Sequence, residues 1–245
     1  MRDETIKQRE PREKKDPLEG WNPTTKLGKL VKDKKIIDID EILDKGIKIR
    51  EPEIVDTLLP NLESDLIFFG QSKGKFGGGK RSIWRQTQKK TKEGNKPKFS
   101  ALAVVGNHDG YVGVGRGKSK ETVPAREKAM RQAKLNIIKI KRGSGSWEGK
   151  SLDPHSIPFK VEGRWGSAKI VLMPAPKGTD LKVERECQKV LRFAGIKDIR
   201  SKTKGQTRTK INLIYALMEA LKKLSSTKVM PEFEKRLSIK EGRNE

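Results

Sequence analysis

The stretch from Phe99 to Lys118, FSALAVVGNHDGYVGVGRGK, constrains the fold more than any other part of the chain. Phe99 to Val105 is a nearly unbroken apolar, β-branched run, and at that length it suits a buried strand better than a helix. Asn107, His108, Asp109 and Gly110 follow with turn chemistry, because Asn, Asp and Gly tolerate the conformations a reversal needs. A hairpin is expected. Its second strand alternates Val112 and Val114 on one face with Gly113, Gly115 and Gly117 on the other, a face without side chains that lets a partner approach the backbone. With Arg116 and Lys118 beside it, the chemistry points to a phosphate or a packed RNA surface as that partner.

The charge balance points the same way. Lys and Arg number 56 against 32 Asp and Glu in 245 residues, a formal net charge of +24. Such a chain repels itself unless a polyanion neutralises it, and RNA best fits bases spread along the whole sequence. Only 33% of residues are hydrophobic, which suits two modest cores better than one large one. No apolar run approaches the roughly 18 residues of a membrane span, and MRDETIKQRE has no secretory apolar region, so a cytoplasmic protein with no membrane partner is expected. Cys187 is the only cysteine and His108 and His155 the only histidines, so no internal disulfide, no metal and no cofactor are expected.

Met1 to Asp16 is dense in charge and nearly free of apolar residues, which predicts disorder until something binds it. WNPTTKLGKLV, Trp21 to Val31, suits an extended arm lying on a surface. IIDIDEIL, Ile36 to Leu43, fits a short helix with Asp38 or Asp40 as N-cap; no Gly-spaced loop accompanies Asp38, Asp40, Glu41 and Asp44, so helix-start carboxylates are favoured over metal ligands. Glu51 to Leu59 reads as another short helix, with Pro52 in its first turn and Pro60 as its stop. Gly70 to Lys98 then carries ten bases against one acid, Glu93. Its glycines and the alternation at Ser82 to Gln88 predict a flexible loop, a strand and a second loop at Thr91 to Pro97. Charge this one-sided suits a phosphate backbone, where each contact releases counterions and makes affinity fall with salt.

Thr122 and Pro124 open a helix whose inward face is Ala125, Ala129, Met130, Ala133 and Ile137, with Lys128, Arg131 and Lys134 outward and Arg126 caught in the apolar arc. Lys141 to Asp153 reads as a linker. GVGRGKS imitates a nucleotide-binding loop but fails its spacing: with Gly117, Lys118 and Ser119 fixed, the first glycine would fall on Val112. Phe159 to Arg164 and Lys169 to Met173 predict two strands, and Leu181 to Ala194 a helix that buries Cys187. Ile196 to Lys202 is a further strand, Lys202 to Arg208 a basic loop, and Thr209 the N-cap of a helix through Leu224. After Ser225 a polar surface tail is expected.

GNHDGYVGVGRGKSKETVPAREKAMRQAK and PFKVEGRWGSAKIVLMPAPKGT, followed by AGIKDIRSKTKG, closely resemble ribosomal small-subunit protein family five in its archaeal form, over roughly Gln86 to Leu221. WNPTTKLGKLVKDKKI is similar to the N-terminal extension of archaeal and eukaryotic members. The resemblance implies an α+β chain of two small α/β domains. The first is similar to a double-stranded RNA-binding fold; the second is a sheet backed by two helices, with a left-handed β-α-β crossover where pattern alone leads one to expect a right-handed one. The domains divide as a basic N-terminal extension at 1–50, the first domain at 51–142, a linker at 143–154, the second domain at 155–224 and a C-terminal tail at 225–245. Gly70 to Arg81 is an insertion against the family pattern, with no function to transfer, and Thr91 to Pro97 matches the family's extended loop.

The role implied is non-catalytic: binding small-subunit ribosomal RNA beside the path by which messenger RNA enters, contacting neighbouring ribosomal proteins and supporting decoding accuracy, as one copy and not a homo-oligomer. Lys89, Lys90, Lys92, Lys96 and Lys98 are expected on phosphates, with Arg116, Lys118 and Lys120 as a second group. Lys80, Arg81, Arg85, Lys128 and Arg131 continue the basic surface. Arg164 and Trp165 meet protein or RNA, unless Trp165 is a core residue. The rival is an RNA-processing nuclease, for which Asp180, Glu184 and Glu186 are the nearest approach to a metal cluster. Helical spacing puts Asp180 and Glu184 on one face and Glu186 on another, so a surface charge pattern is the simpler account. A free-standing RNA chaperone leaves the second domain unexplained.

Overall fold

The computed structural model describes residues 21–71, 81–144 and 153–242; Met1 to Asp16, Lys80 and most of the Gly70 to Arg81 insertion lie outside the described residues. Three short helices come first, α1 (Lys26–Lys32), α2 (Ile39–Asp44) and α3 (Pro52–Leu58). The arm expected at Trp21 to Val31 is therefore partly helical. Thr25 Oγ1 caps α1 by accepting from the Gly28 amide at 3.0 Å, and the buried Glu51 carboxylate accepts from Thr24 N, Thr24 Oγ1, Thr25 N and Trp21 Nε1. A buried carboxylate whose hydrogen-bond donors among the described residues come from this segment pulls it into place. Val31, Ile39, Ile42, Ile54 and Val55 then close a small core with Tyr111 and Ile137.

The first sheet holds β1 (Glu63–Leu66), β2 (Arg85–Thr91), β3 (Gly94–Gly106), β4 (Tyr111–Ser119) and β5 (Ile137–Lys139), in the order β1-β3-β4-β5 with β2 also on β3. The expected hairpin is present as β3 and β4, with Val104 opposite Val114. What occupies its glycine face is not RNA but a helix, α4 (Thr122–Leu135). A Cβ added to Gly113, Gly115 or Gly117 would lie closer than 3.0 Å to backbone atoms of Ala125, Ala129 or Ala133. Three bare backbone positions meeting three alanines let helix and sheet approach more closely than larger side chains permit. The helix stops at Leu135, so Ile137 belongs to β5, and Arg126, expected in the apolar arc, is exposed.

A short strand, β6 (Lys141–Arg142), follows, and Gly143 and Ser156 exchange both backbone hydrogen bonds at 2.9 Å, bringing the ends of the expected linker together. The second sheet contains β7 (Val161–Trp165), β8 (Ala168–Pro174), β9 (Leu181–Lys182) and β10 (Ile199–Lys204), in the order β7-β8-β10-β9. Between β9 and β10 runs α5 (Arg185–Phe193), shorter than expected at its start because Leu181 and Lys182 pair with β10 instead. After β10 comes α6 (Lys210–Ser226), which covers one face of the sheet; Gly163 sits against Ala216 and Ala220 with no room for a side chain. Cys187 is fully buried there, and burial pushes its thiol far above the usual range.

Both sheets share one core: Leu102, Val104, Val112 and Val114 of the first pack into the same cluster as Ile170, Leu172, Leu191 and Leu217. The tail after Ser225 is not free of structure. It forms α7 (Pro231–Arg236) and β11 (Lys240–Glu241), which pairs antiparallel with β6. The cause is Arg142, only 2% exposed, whose Nη2 donates to Asp109 Oδ1 at 2.7 Å and to the Gly242 carbonyl at 2.8 Å; a buried guanidinium requires such acceptors, and the returning tail supplies one.

Candidate nucleic-acid interface

Pairing between β3 and β4 begins at Phe99 and Ser119, so the first five residues of β3, with β2, run past the sheet as a two-stranded ribbon. Thr91 to Pro97, expected as a loop, is mostly strand. The reversal needs only Lys92 and Glu93 because Gly94 takes the left-handed conformation, φ +106°, and Thr91 Oγ1 donates to its carbonyl at 2.7 Å.

Register sorts the ribbon's bases. Lys89 stands directly opposite Lys96, and Thr87 opposite Lys98, on the same face. The next row is Arg85, Ser100 and Lys118 across three strands. One face therefore presents Arg85, Lys89, Lys96, Lys98 and Lys118, all exposed. Directly opposed like charges destabilise a strand pair unless a counter-charge offsets them. On the ribbon itself Glu93 lies 3.1 Å from Lys96 with both side chains well exposed; that hydrogen bond holds the Glu93 carboxyl below its usual range but anchors little. Lys90 points to the opposite face with Gln86 and Gln88, and Lys92 occupies the exposed tip.

A second group gathers where the ribbon meets α4. Lys98, Lys118, Lys120 and Lys128 line one open cleft of about 490 Å³ with Glu121 as its single acid. A third, of about 360 Å³, brings Arg81 and Arg85 together with Arg208 and Lys210 from the start of α6. Sequence reasoning did not single out Arg208 and Lys210 as site residues; the basic loop and the Thr209 N-cap signalled them, but their meeting with Arg81 is tertiary.

Other expected residues are set apart. Arg131 lies with Glu53, Asp56 and Glu127 in a cleft of mixed charge. Arg116 faces the second domain, half-buried beside Tyr215, with its Nε buried and unpartnered. Arg164 and Trp165 are strand neighbours and point to opposite faces. Trp165 leans on Tyr215, ring centroids 5.2 Å apart, and remains 46% exposed, so it is not a core residue.

Several of the carboxylates considered for metal are otherwise engaged, and Asp180 precedes α5 instead of sharing a helix face with Glu184. Glu184 caps α5 by accepting from Glu186 N and Cys187 N, and pairs with Lys210. Glu186 is buried and accepts from Phe68 N at 2.9 Å. Asp40 accepts from Tyr111 Oη at 2.6 Å, and Asp44 pairs with Lys139. Among the described residues no three metal-ligating side chains gather, and no helix is long and apolar enough to cross a membrane.

Two family models match this arrangement in order: Ribosomal protein S5, N-terminal domain, at residues 83–141, from ribbon to β6, and Ribosomal protein S5, C-terminal domain, at residues 163–235, from β7 into α7. The chain belongs to the ribosomal protein S5 family. Curated S5-family relatives agree across nearly the whole length. A protein of Nanoarchaeum equitans named small ribosomal subunit protein uS5 is 51% identical over 225 residues, 92% of this chain and 96% of its own. Those of Methanocaldococcus jannaschii and Thermofilum pendens, named alike, are 46% and 48% identical, covering 92% and 83% of this chain and 97% and 93% of their own. The S5 match at 83–141 takes in the ribbon face and the α4 cleft together.

Proposed function

We propose that this S5-family chain is a non-catalytic structural component of the small ribosomal subunit that holds ribosomal RNA through the ribbon face and the cleft at the start of α4. The observation that carries the reading is the row of cations that outnumber their counter-charges: Lys89 against Lys96, then Lys98, Arg85 and Lys118, beside only Glu93 and Glu121 among the described residues. Phosphate contacts of this kind position RNA without reading its sequence. Lys90, Lys92, Lys120 and Lys128 extend the surface, with Arg81 and Arg131 at its margins and Trp165 as an aromatic contact for protein or RNA. The helix α3, the antiparallel strands β2, β3 and β4, and α4 follow the order of a double-stranded RNA-binding fold, with β1 as an added strand on β3, which supports that likeness for 51–142. In the second domain, 155–224, β9, α5 and β10 make a parallel crossover, proposed to be left-handed as the family resemblance implies. Proximity to the incoming messenger, support of decoding accuracy, contact with neighbouring ribosomal proteins and a single copy per subunit complete the proposal.

Two measurements test it. On sucrose gradients of cell lysate the protein is expected to migrate stoichiometrically with small subunits and to stay there in high salt; slow sedimentation refutes the structural role. Binding of the purified chain to small-subunit ribosomal RNA is expected to show a log–log salt slope shallower by about 2 to 3 when Lys89, Lys96 and Lys98 become Gln, since each phosphate left unneutralised removes roughly 0.7 to 0.9. An unchanged slope refutes the ribbon as the RNA-binding face.

A further inference from the structure

The second sheet has one covered face and one open one. Val161, Gly163, Ile170 and Leu172 turn towards α6, which leaves Glu162, Arg164, Lys169 and Val171 on the other side. The register carries this across the sheet. Arg164, Lys169 and Lys204 stand directly opposite one another on three neighbouring strands. Lys202 stands opposite Val171 in the next row, and Arg200 stands beside Lys182 at the far edge. Arg164, Lys182, Arg200, Lys202 and Lys204 are all exposed, so nothing in the described chain lies over them.

We propose that this open face is a second phosphate-binding surface, separate from the ribbon, that takes the backbone of ribosomal RNA. The proposal rests on the RNA-binding reading above and adds a second place of contact to it. Three cations in one cross-strand row repel each other, and a sheet tolerates that when an outside anion lies across them. Glu162 is the only carboxylate the four strands supply, and it is already paired with Lys169. The hydrogen bond from Lys169 holds the Glu162 carboxyl below its usual range, with the charges of Lys160 and Lys204 acting the same way. Along β10, Arg200, Lys202 and Lys204 follow one another at about 7 Å, a straight file of cations suited to a chain of phosphates. A protein partner is the poorer fit: interfaces are centred on an apolar, charge-depleted patch, and this face offers only Val171, 7% exposed, and the half-buried Met173.

The test uses the full chain and a small-subunit ribosomal RNA transcript with no other protein present. Amine acylation of the unmutated protein should be slowed at least about fivefold at Lys182, Lys202 and Lys204 by the transcript, as phosphate contact requires, while Lys222 on the outer side of α6 reacts unchanged. A variant with Arg164→Gln, Arg200→Gln, Lys202→Gln and Lys204→Gln should have a log–log salt slope of binding shallower by about 3. Unprotected lysines and an unchanged slope overturn the proposal. If the ribbon variant still shows a shallower slope in the same assay, the fault lies with this face alone; if it does not, the RNA-binding reading falls as well. Protection that appears only when other ribosomal proteins are added also overturns it, because the face is then a protein contact.

Discussion

Substituting Gly115→Ala tests the close approach that places α4. The residue does not have positive φ, so alanine fits the backbone conformation and any effect comes from steric overlap. An added Cβ would lie closer than 3.0 Å to the Ala133 amide nitrogen, the Ala129 carbonyl oxygen and the Gln132 carbonyl carbon. All three are backbone atoms, so no rotamer relieves the overlap. The helix has little freedom to retreat, since Ala129 and Ala133 are fully buried on the sheet and Lys134 is tied to Asp56 of α3 at 2.6 Å. Overpacking of this sort costs about 1–3 kcal/mol. Alanine's smaller loss of chain entropy offsets about 0.5–1 kcal/mol of that. Against fixed backbone the overpacking falls at the upper end of that range, about 2–3 kcal/mol, so the net loss is about 1–2.5 kcal/mol, or roughly 2–10 °C in Tm for a chain of this size. Urea unfolding followed by circular dichroism measures it. Because the clash is with backbone, adding Ala133→Gly is not expected to restore stability. A Gly115→Ala protein within about 0.5 kcal/mol of the parent, or one rescued by Ala133→Gly, refutes the close approach of helix and strand.

Further outcomes follow from the two buried carboxylates. Burial alone raises the Glu51 carboxyl, but hydrogen bonds from Thr24 and Thr25 outweigh it and the net effect is a lowered value; its stabilisation is therefore present above the ordinary 4.5 and lost as pH falls through the lowered one. Glu51→Gln sets an amide against the Trp21 indole N–H and should cost about 1–3 kcal/mol, seen as amide exchange of Gly28 and Lys29 at least about tenfold faster; unchanged exchange refutes the anchor. Glu186 is the opposite case. Burial raises its carboxyl above 4.5 despite the Phe68 amide, so its charging penalises the folded state as pH rises through the raised value. Glu186→Gln keeps an acceptor for Phe68 and should stabilise the protein at pH 7, with the gain vanishing below pH 4.5; a gain independent of pH contradicts the assignment.

Much of the site was legible in the chain. Lys89, Lys96 and Lys98 announce a polyanion by density alone, and the valine and glycine alternation from Val112 to Gly117 defines a strand with one bare face. Local pattern also supplied the three alanines of α4 and the start of α6 after Thr209, although the Thr209 side chain makes no capping hydrogen bond. What local pattern cannot contain is which surfaces meet. The bare glycines announced a close approach, for which RNA was the expected partner, and only the packing of Ala125, Ala129 and Ala133 on them showed that a helix takes the place. The ribbon's register was hidden for a related reason: a loop and a polar strand have the same composition, and pairing Lys89 with Lys96 is a choice made between segments. The structure of the tail was hidden too, because its return to β6 answers the buried guanidinium of Arg142, a demand made 100 positions away in sequence. Sequence by itself determined the charge, the periods and the family; tertiary structure decided which faces are covered, because burial belongs to pairs of surfaces and not to one segment.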